Sequence, residues 1–139
     1  MSQILIVDDQ QCVRRLLWAQ LTLAGYSATD ADSAEAARTY LSSRRPELVL
    51  LDLYLNGPEG FELLAEIKAR YPDVPVVVVT AYDRYKKDPR LSKADGYFVK
   101  SFDFEGLVGA IGEILGKETE TRGRDTLGSP SPSPLFMGT

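Results

Sequence analysis

The stretch ELVLLDLYLNGPEG, residues 47–60, contains the pattern that decides the fold. Its apolar run from Leu48 to Leu51 stops at a single acid, Asp52, and a turn rich in Asn, Gly and Pro follows. A short, continuous apolar run bounded by turn residues is typical of a strand that is buried on both faces, as the strands of parallel sheets are. The stretch therefore predicts a parallel-sheet strand with a carboxylate at its carboxyl end.

Four further apolar runs alternate with helical patterns along the chain, so strands and helices are predicted to follow one another in turn. This alternation predicts an α/β fold in which a doubly wound, five-stranded parallel sheet is covered by helices on both faces. Besides 48–51, the predicted strands are residues 4–7, 26–30, 74–80 and 96–100. The predicted helices are residues 10–24, a helix from a capping box at 32–35 to about residue 45, a helix from about residue 61 to near residue 72, and residues 103–115.

Composition limits the classes of function. The chain has 139 residues, a net charge of -4, no histidine and one cysteine, Cys12. A negative charge argues against binding to nucleic-acid phosphates as the main activity, and a single cysteine suits a reducing compartment. No signal peptide and no membrane span are predicted, so we expect a cytoplasmic protein. Residues 1–117 are predicted to form one domain, and residues 118–139 a Ser/Pro-rich linker or disordered tail.

Polar residues stand at the carboxyl ends of four predicted strands, and in a parallel sheet these ends meet at one edge. Each has an ordinary alternative role. Asp8 or Asp9 could cap the first helix and Asp52 could belong to a turn. Thr80 could reflect strand propensity, and Lys100 could mark an exposed strand end. Together, three acids and a lysine at one edge favour a functional site.

The chemistry of these residue types points to phosphoryl transfer. Clustered carboxylates disfavour one another's ionisation, and a divalent cation relieves that repulsion. Oxygen ligands without His or Cys favour Mg²⁺. Beside such a metal an Asp can act as the nucleophile that accepts a phosphoryl group. Lys100 would supply a second positive charge, and Thr80 a hydroxyl, to the phosphoryl oxygens.

Four segments of the chain resemble the receiver domain of two-component response regulators, of the chemotaxis-regulator-like type. They are ILIVDD, LVLLDLYLNGPEG, VVVVTAY and GYFVKSF, and the resemblance spans about residues 3–116. It implies a flavodoxin-like (βα)5 fold. It also implies that Asp52 is the phosphoacceptor, that Asp9 binds Mg²⁺ directly with help from Asp8, and that the backbone carbonyl of Tyr54 is a further ligand. Lys100 is implied to pair with the phosphoryl group.

The resemblance also implies a switch and partners. Thr80 and Tyr97 would form the switch pair, and the face of the fourth helix, fifth strand and last helix would contact partners or form a homodimer. The phosphoryl donor would be a sensor histidine kinase or a phosphotransfer protein in a phosphorelay. The domain would catalyse its own phosphorylation and dephosphorylation rather than act as an ordinary enzyme, and would bind neither nucleic acid nor membrane directly.

The sequence departs from the family pattern at three places. Ser101 follows Lys100 where the family usually has a proline in a cis peptide bond, and a cis bond before a non-proline residue costs about 2.5–4 kcal/mol. Tyr54 and Tyr82 lie beside the implied path of the hydrolytic water, so we predict a long-lived phosphorylated state unless both rings point into solvent. The segment 83–95 is short and contains a proline, so its helix is predicted to be short or irregular.

Alternatives remain open at this point. A phosphatase of the haloacid dehalogenase type would need a second acid where Tyr54 stands. An FMN-binding module would need a Ser/Thr-rich loop after the first strand, where acids stand instead. A receiver that is not phosphorylated is a further alternative. The final PLFMGT, residues 134–139, is similar to the start of the ATPase domain in sigma-54-dependent transcription regulators, although a stand-alone receiver is also open.

Overall fold

The computed structural model describes residues 3–55, 59–81, 87–100 and 103–123, with backbone only beyond residue 116. Its centre is a sheet of five strands in the order β2-β1-β3-β4-β5, and every neighbouring pair is parallel. This topology confirms the predicted doubly wound α/β fold. The strands are β1 (Gln3–Val7), β2 (Ser27–Ala31), β3 (Leu48–Leu51), β4 (Val76–Thr80) and β5 (Gly96–Val99).

Helices cover both faces of the sheet, because alternate strand residues point to opposite sides. The helices are α1 (Gln11–Leu23), α2 (Ala34–Leu41), α3 (Glu59–Arg70) and α4 (Phe104–Gly123). On one face, α2 and α3 pack on Leu5, Val49 and Val78. On the other face, α1 and α4 pack on the adjacent residues of the same strands, including Ile4 and Leu50. The apolar runs of the sequence are thus buried from both sides.

Two helix boundaries differ from the prediction. Helix α2 is capped by Ser33, whose hydroxyl accepts from the Ala36 amide at 3.0 Å, rather than by the predicted capping box. It ends at Leu41, short of the predicted end near residue 45, and the Arg45 side chain hydrogen-bonds the Leu41 carbonyl, one of the acceptors that a helix end leaves without an intrahelical partner. Helix α4 continues to Gly123 rather than stopping at residue 115. The residues after 115 include Lys, Glu and Arg, which have high helix propensity but form no apolar stripe. A helix end predicted from apolar periodicity therefore falls too early.

The connection between β4 and β5 contains little helix in its described part, residues 87–95. A 3-10 helix, Pro89–Leu91, begins at Asp88, whose carboxylate accepts from the Arg90 amide at 2.9 Å. This agrees with the short or irregular helix predicted there. Pro89 at its first position fits, because a proline needs no hydrogen-bond partner for a backbone N–H.

Candidate functional site

The carboxyl edge of the sheet brings together the five residues that the sequence singled out. Asp8 and Asp9 follow β1, Asp52 follows β3, Thr80 ends β4 and Lys100 follows β5. Asp8 and Asp52 are only 2% and 6% exposed, and Thr80 is fully buried. One carboxylate oxygen from each of the three aspartates lies within 4.8 Å of the others. The edge therefore holds a compact, largely buried cluster of acids.

Lys100 is the cation of this cluster. Its Nζ lies 2.8 Å from Oδ2 of Asp8 and 3.3 Å from Oδ2 of Asp52. It also donates to Oε1 of Gln10 at 3.2 Å. The Lys100 backbone N–H donates to the Thr80 carbonyl at 2.7 Å, which fixes the lysine at the tip of β5 beside β4. The lysine thus reaches from one side of the sheet edge to the acids in its middle.

The charges of the site perturb one another. Burial, followed by the neighbouring charge of Asp8, raises the pKa of Asp52 to about 6. The Lys100 ammonium and the Tyr54 amide oppose that rise. Burial acts to lower the pKa of Lys100, but its hydrogen bond to Asp8 and the charge of Asp52 outweigh burial, so the pKa is raised. Lys100 therefore stays charged at neutral pH, while Asp52 is poised to take up a proton or a cation.

Asp52 sits on a tightly packed backbone. Its N–H donates to the Val7 carbonyl at 2.9 Å, and its Oδ1 accepts from the Tyr54 amide at 3.3 Å. Gly60, in the first turn of α3, donates to the Leu53 carbonyl at 3.0 Å. A Cβ at Gly60 would lie 2.3 Å from the Asp52 carbonyl oxygen, so only a glycine allows α3 to begin so close to the site.

The Tyr54 ring is half-buried rather than directed wholly into solvent. It packs edge-to-face against Phe61, with ring centroids 6.4 Å apart and an interplanar angle of 85°. This contradicts, for Tyr54, the alternative in which the ring is merely solvated. Its role in shielding the site and its carbonyl as a metal ligand remain predictions. Tyr82, Ser101 and the peptide bond between Lys100 and Ser101 lie outside the described residues.

The predicted switch residues occupy neighbouring strands. Thr80 is the last residue of β4 and is fully buried. Tyr97 lies on β5 opposite Val78 of β4 and is half-buried against the α2–α3 side of the core. A buried hydroxyl at the edge and an aromatic ring on the neighbouring strand suit the predicted coupled change, which stays a prediction.

Two site residues have no counterpart in the sequence-based prediction. Gln10 accepts from Lys100, as described above. Arg14 in α1 donates from Nη1 to the Asp8 carbonyl at 2.8 Å and pairs through Nε with Asp30 at 2.9 Å. Both residues lie near the acid pair in sequence, which is the one signal that could have indicated them. Their contacts depend on side-chain conformations that no spacing rule reports.

The donor set suits Mg²⁺. The ion takes hard oxygen ligands in an octahedral arrangement, keeps several waters and usually binds one or two carboxylates. Asp8, Asp9 and Asp52 offer such oxygens within one small cluster. Burial, and after it the charge of Asp8, raises the pKa of Asp52, and a bound cation would favour its ionised form. The acid triad and the lysine at the carboxyl edge of the sheet are therefore the candidate functional site of this fold.

Comparison with protein families identifies the class. The model of the response regulator receiver domain matches residues 4–112, which is most of the chain. The protein therefore belongs to the receiver domain family of response regulators. This membership decides against the haloacid dehalogenase and FMN-binding alternatives.

Similar sequences occur in longer regulators. Response regulator protein FleR of Pseudomonas aeruginosa is 35% identical over an alignment of length 127, which covers 86% of this chain and 27% of FleR. Nitrogen assimilation regulatory protein NtrX of Azorhizobium caulinodans is 38% identical over 109 residues, which are 76% of this chain and 24% of NtrX. The chain thus spans about a quarter of the length of these two relatives.

Solved structures of response regulators have the same fold as this chain. Response regulator TrrA of Thermotoga maritima, in complex with Mg²⁺ and a beryllium fluoride, superposes with a TM-score of 0.78 at 36% identity, over 83% of this chain and 99% of TrrA. A second structure contains TrrA with the histidine kinase ThkA, again with a TM-score of 0.78. In the described part of the present chain, no helix is both long and apolar enough to cross a membrane.

Proposed function

We propose that the protein accepts a phosphoryl group on Asp52 in a Mg²⁺-dependent reaction and transmits the change to a partner surface. The observation that carries the proposal is the Asp52 carboxylate, which is buried between the Asp8 and Asp9 acids and the Lys100 ammonium. This is the arrangement that a nucleophilic carboxylate needs, because charge on the incoming phosphoryl oxygens meets a fixed cation. TrrA, which binds Mg²⁺ and a beryllium fluoride, supports the same reading.

In the proposed reaction an oxygen of Asp52 attacks the phosphorus atom, the bond from phosphorus to the donor breaks, and an acyl phosphate forms on Asp52. Asp8, Asp9 and Asp52 would hold Mg²⁺, which when bound neutralises the acids and the phosphoryl oxygens. Lys100, 3.3 Å from Asp52, would pair with a phosphoryl oxygen. The backbone contacts of Asp52 to Val7 and Tyr54 hold the nucleophile at the strand tip while this happens.

The proposed donor is a phosphohistidine on a sensor histidine kinase or a phosphotransfer protein. The complex of TrrA with ThkA supports this. On the present chain, the exposed Leu16 of α1 borders an apolar recess of about 180 Å³ that reaches Lys100 and Phe104. An apolar side chain beside the site is suited to contact the helix that carries a phosphohistidine.

The proposed output is a change at the face formed by the 89–91 segment, β5 and α4, driven by Thr80 and Tyr97. A hydroxyl drawn toward the phosphoryl group would leave room for the Tyr97 ring to move inward. Since the related FleR and NtrX are longer regulators, we propose that a following domain carries the output in transcription regulation. The proposed setting is the cytoplasm, which the single cysteine supports.

Incubation with acetyl phosphate and Mg²⁺, followed by intact-protein mass measurement, tests the proposal. We expect the gain of one phosphoryl group by the wild type, no gain without Mg²⁺, and none in Asp52→Asn. Asp73→Asn is a matched control, because Asp73 is an exposed acid between α3 and β4, and it should be phosphorylated normally. Absence of phosphorylation in the folded wild type would support the non-phosphorylated receiver instead.

A further inference from the structure

Arg14 links two strands at the base of the acid cluster. Its guanidinium donates to the backbone carbonyl of Asp8 at 2.8 Å and forms an ion pair with Asp30 of β2 at 2.9 Å. Its side chain is only 13% exposed, although it lies on a surface helix. We infer that Arg14 is a positioning residue for the metal-binding acids: it ties the turn after β1 to β2 and so holds Asp8 and Asp9 in place. This inference rests on the Mg²⁺ site proposed above.

Asp8 has four contacts among the described residues, and the one from Arg14 is made to its backbone carbonyl. The Asp8 N–H donates to the Ala31 carbonyl at 3.1 Å. Its carboxylate accepts from the Gln10 amide at 2.9 Å and pairs with Lys100 at 2.8 Å. The contacts of Gln10 and Lys100 act on the carboxylate, which a metal would also engage. Arg14 acts on the backbone and leaves the carboxylate free for a metal.

The environment makes the Arg14 contact important. Asp8 is 2% exposed, so loss of the guanidinium would remove a hydrogen bond from a buried backbone acceptor. The planar guanidinium donates to both Asp8 and Asp30 at once through its fixed fork of N–H groups, whereas a lysine ammonium is a compact charge without such a fork. Asp30 lies directly opposite Ile6 in the β1–β2 register, so the pair joins neighbouring strands just below the site.

The loss of the Arg14 charge and the loss of its positioning role should change Mg²⁺ affinity in opposite directions. Arg14 is a cation near a proposed cation site, so removal of its charge should by itself tighten Mg²⁺ binding. If Arg14 instead positions the acids, its removal should weaken Mg²⁺ binding, as the loss of residues that orient metal ligands does. The direction of the change therefore separates the two effects.

The experiment is calorimetric titration of the full chain with Mg²⁺. Arg14→Gln should bind Mg²⁺ about tenfold more weakly than the wild type. Arg15→Gln is the matched control: Arg15 is the exposed neighbour on the same turn, its loss changes the charge equally, and its dissociation constant should stay within about twofold of the wild type. Asp30→Asn keeps Arg14 but removes its anchor, and should weaken binding by a smaller factor.

A second measurement excludes a general loss of structure. In acetyl phosphate labelling, Arg14→Gln should need a higher Mg²⁺ concentration for half-maximal rate but reach a near-normal rate at saturating Mg²⁺. Unchanged or tighter binding in Arg14→Gln would overturn the inference while leaving the proposed function intact. If Arg14→Gln does not fold, Asp30→Asn decides when compared with Asp32→Asn, which removes the same charge from an exposed acid just after β2. Loss of negative charge by itself weakens Mg²⁺ binding in both variants, so equal binding in the two overturns the inference. A wild type that binds no Mg²⁺ would overturn both proposals together.

Discussion

At the residue scale, ionised Asp52 lowers the stability of the metal-free fold, because it is buried beside the acid Asp8. Its raised pKa means that the folded, metal-free protein holds a proton on Asp52 more readily than the unfolded chain does. This group therefore favours folding at low pH, and that contribution is lost as pH rises from about 4 through about 6. Above this range the ionised carboxylate destabilises the metal-free fold.

The first prediction follows from this destabilisation by ionised Asp52. Without Mg²⁺ at pH 7.5, Asp52→Asn should raise the free energy of unfolding by about 2 kcal/mol, because the amide removes the buried charge beside Asp8. The gain should shrink as pH falls toward 4.5. Urea unfolding followed by circular dichroism measures it. Mg²⁺ should stabilise the wild type more than the variant, and a variant that is less stable than the wild type at pH 7.5 would contradict this account.

The second prediction concerns the lifetime of the acyl phosphate. The Tyr54 ring, two residues after Asp52, packs against Phe61, and we predict that it limits the approach of water to Asp52. Tyr54→Ala should shorten the half-life by roughly three- to tenfold, since exclusion of water slows hydrolysis. Tyr54→Phe keeps the ring and should retain the wild-type half-life, as should Tyr40→Ala, which truncates a half-buried tyrosine of α2. A half-life that does not shorten in Tyr54→Ala would reject the shielding role. Tyr82→Ala tests the other ring in the same assay.

At the scale of elements, the start of α3 lies against the backbone that follows β3. Gly60→Ala would place a methyl group 2.3 Å from the Asp52 carbonyl and 2.5 Å from the Leu53 backbone, and neither atom belongs to a flexible side chain. We expect a loss of about 2–3 kcal/mol in stability, because overpacking forces the backbone to move. Phosphorylation should slow as well, since Asp52 moves with that backbone. Thermal or urea unfolding together with the labelling rate measures both effects.

Helix α4 offers the opposite case. Gly109 lies in its interior, and a Cβ there would meet no atom within 4 Å. Gly109→Ala should therefore stabilise the protein by about 0.5–1 kcal/mol, because alanine costs less conformational entropy than glycine in a helix. Measured by the same unfolding experiment, Gly60→Ala and Gly109→Ala compare the stability effect of one substitution at a crowded position and at an open one. A destabilised Gly109→Ala would show that this surface needs the glycine for another reason.

The strands could be predicted from the sequence because apolar runs such as Leu48–Leu51 leave little choice of structure. The five edge residues of the site followed from that topology, since parallel strands end at one edge. The ends of α2 and α4 could not be predicted, because Arg45 caps a carbonyl through its side chain and the last turns of α4 carry no apolar pattern. The contacts of Gln10 and Arg14 depend in the same way on side-chain conformations.

At the scale of the whole molecule, both edge strands of the sheet, β2 and β5, are partly exposed. Strand β5 is an edge of the sheet, and all four of its residues are only half-buried. The connection that precedes β5 contains just the short 3-10 helix in its described part. Exposed sheet edges are usually covered or blocked, so this face is suited to being covered by a partner. The predicted homodimer through this face would cover it.

The last prediction is that a phosphoryl group on Asp52 promotes dimerisation through the face that contains β5. Beryllium fluoride with Mg²⁺, which mimics a phosphoryl group on Asp52, should raise the sedimentation mass of the wild type to about twice the monomer value, as expected for a two-fold dimer. Asp52→Asn should stay monomeric. Lys93→Glu, at an exposed position just before β5, should weaken the dimer, whereas Arg44→Glu makes the same change of charge after α2 and should not. If both variants dimerise like the wild type, a different face forms the contact. If the activated wild type stays monomeric at concentrations where such dimers form, the switched surface serves a different partner.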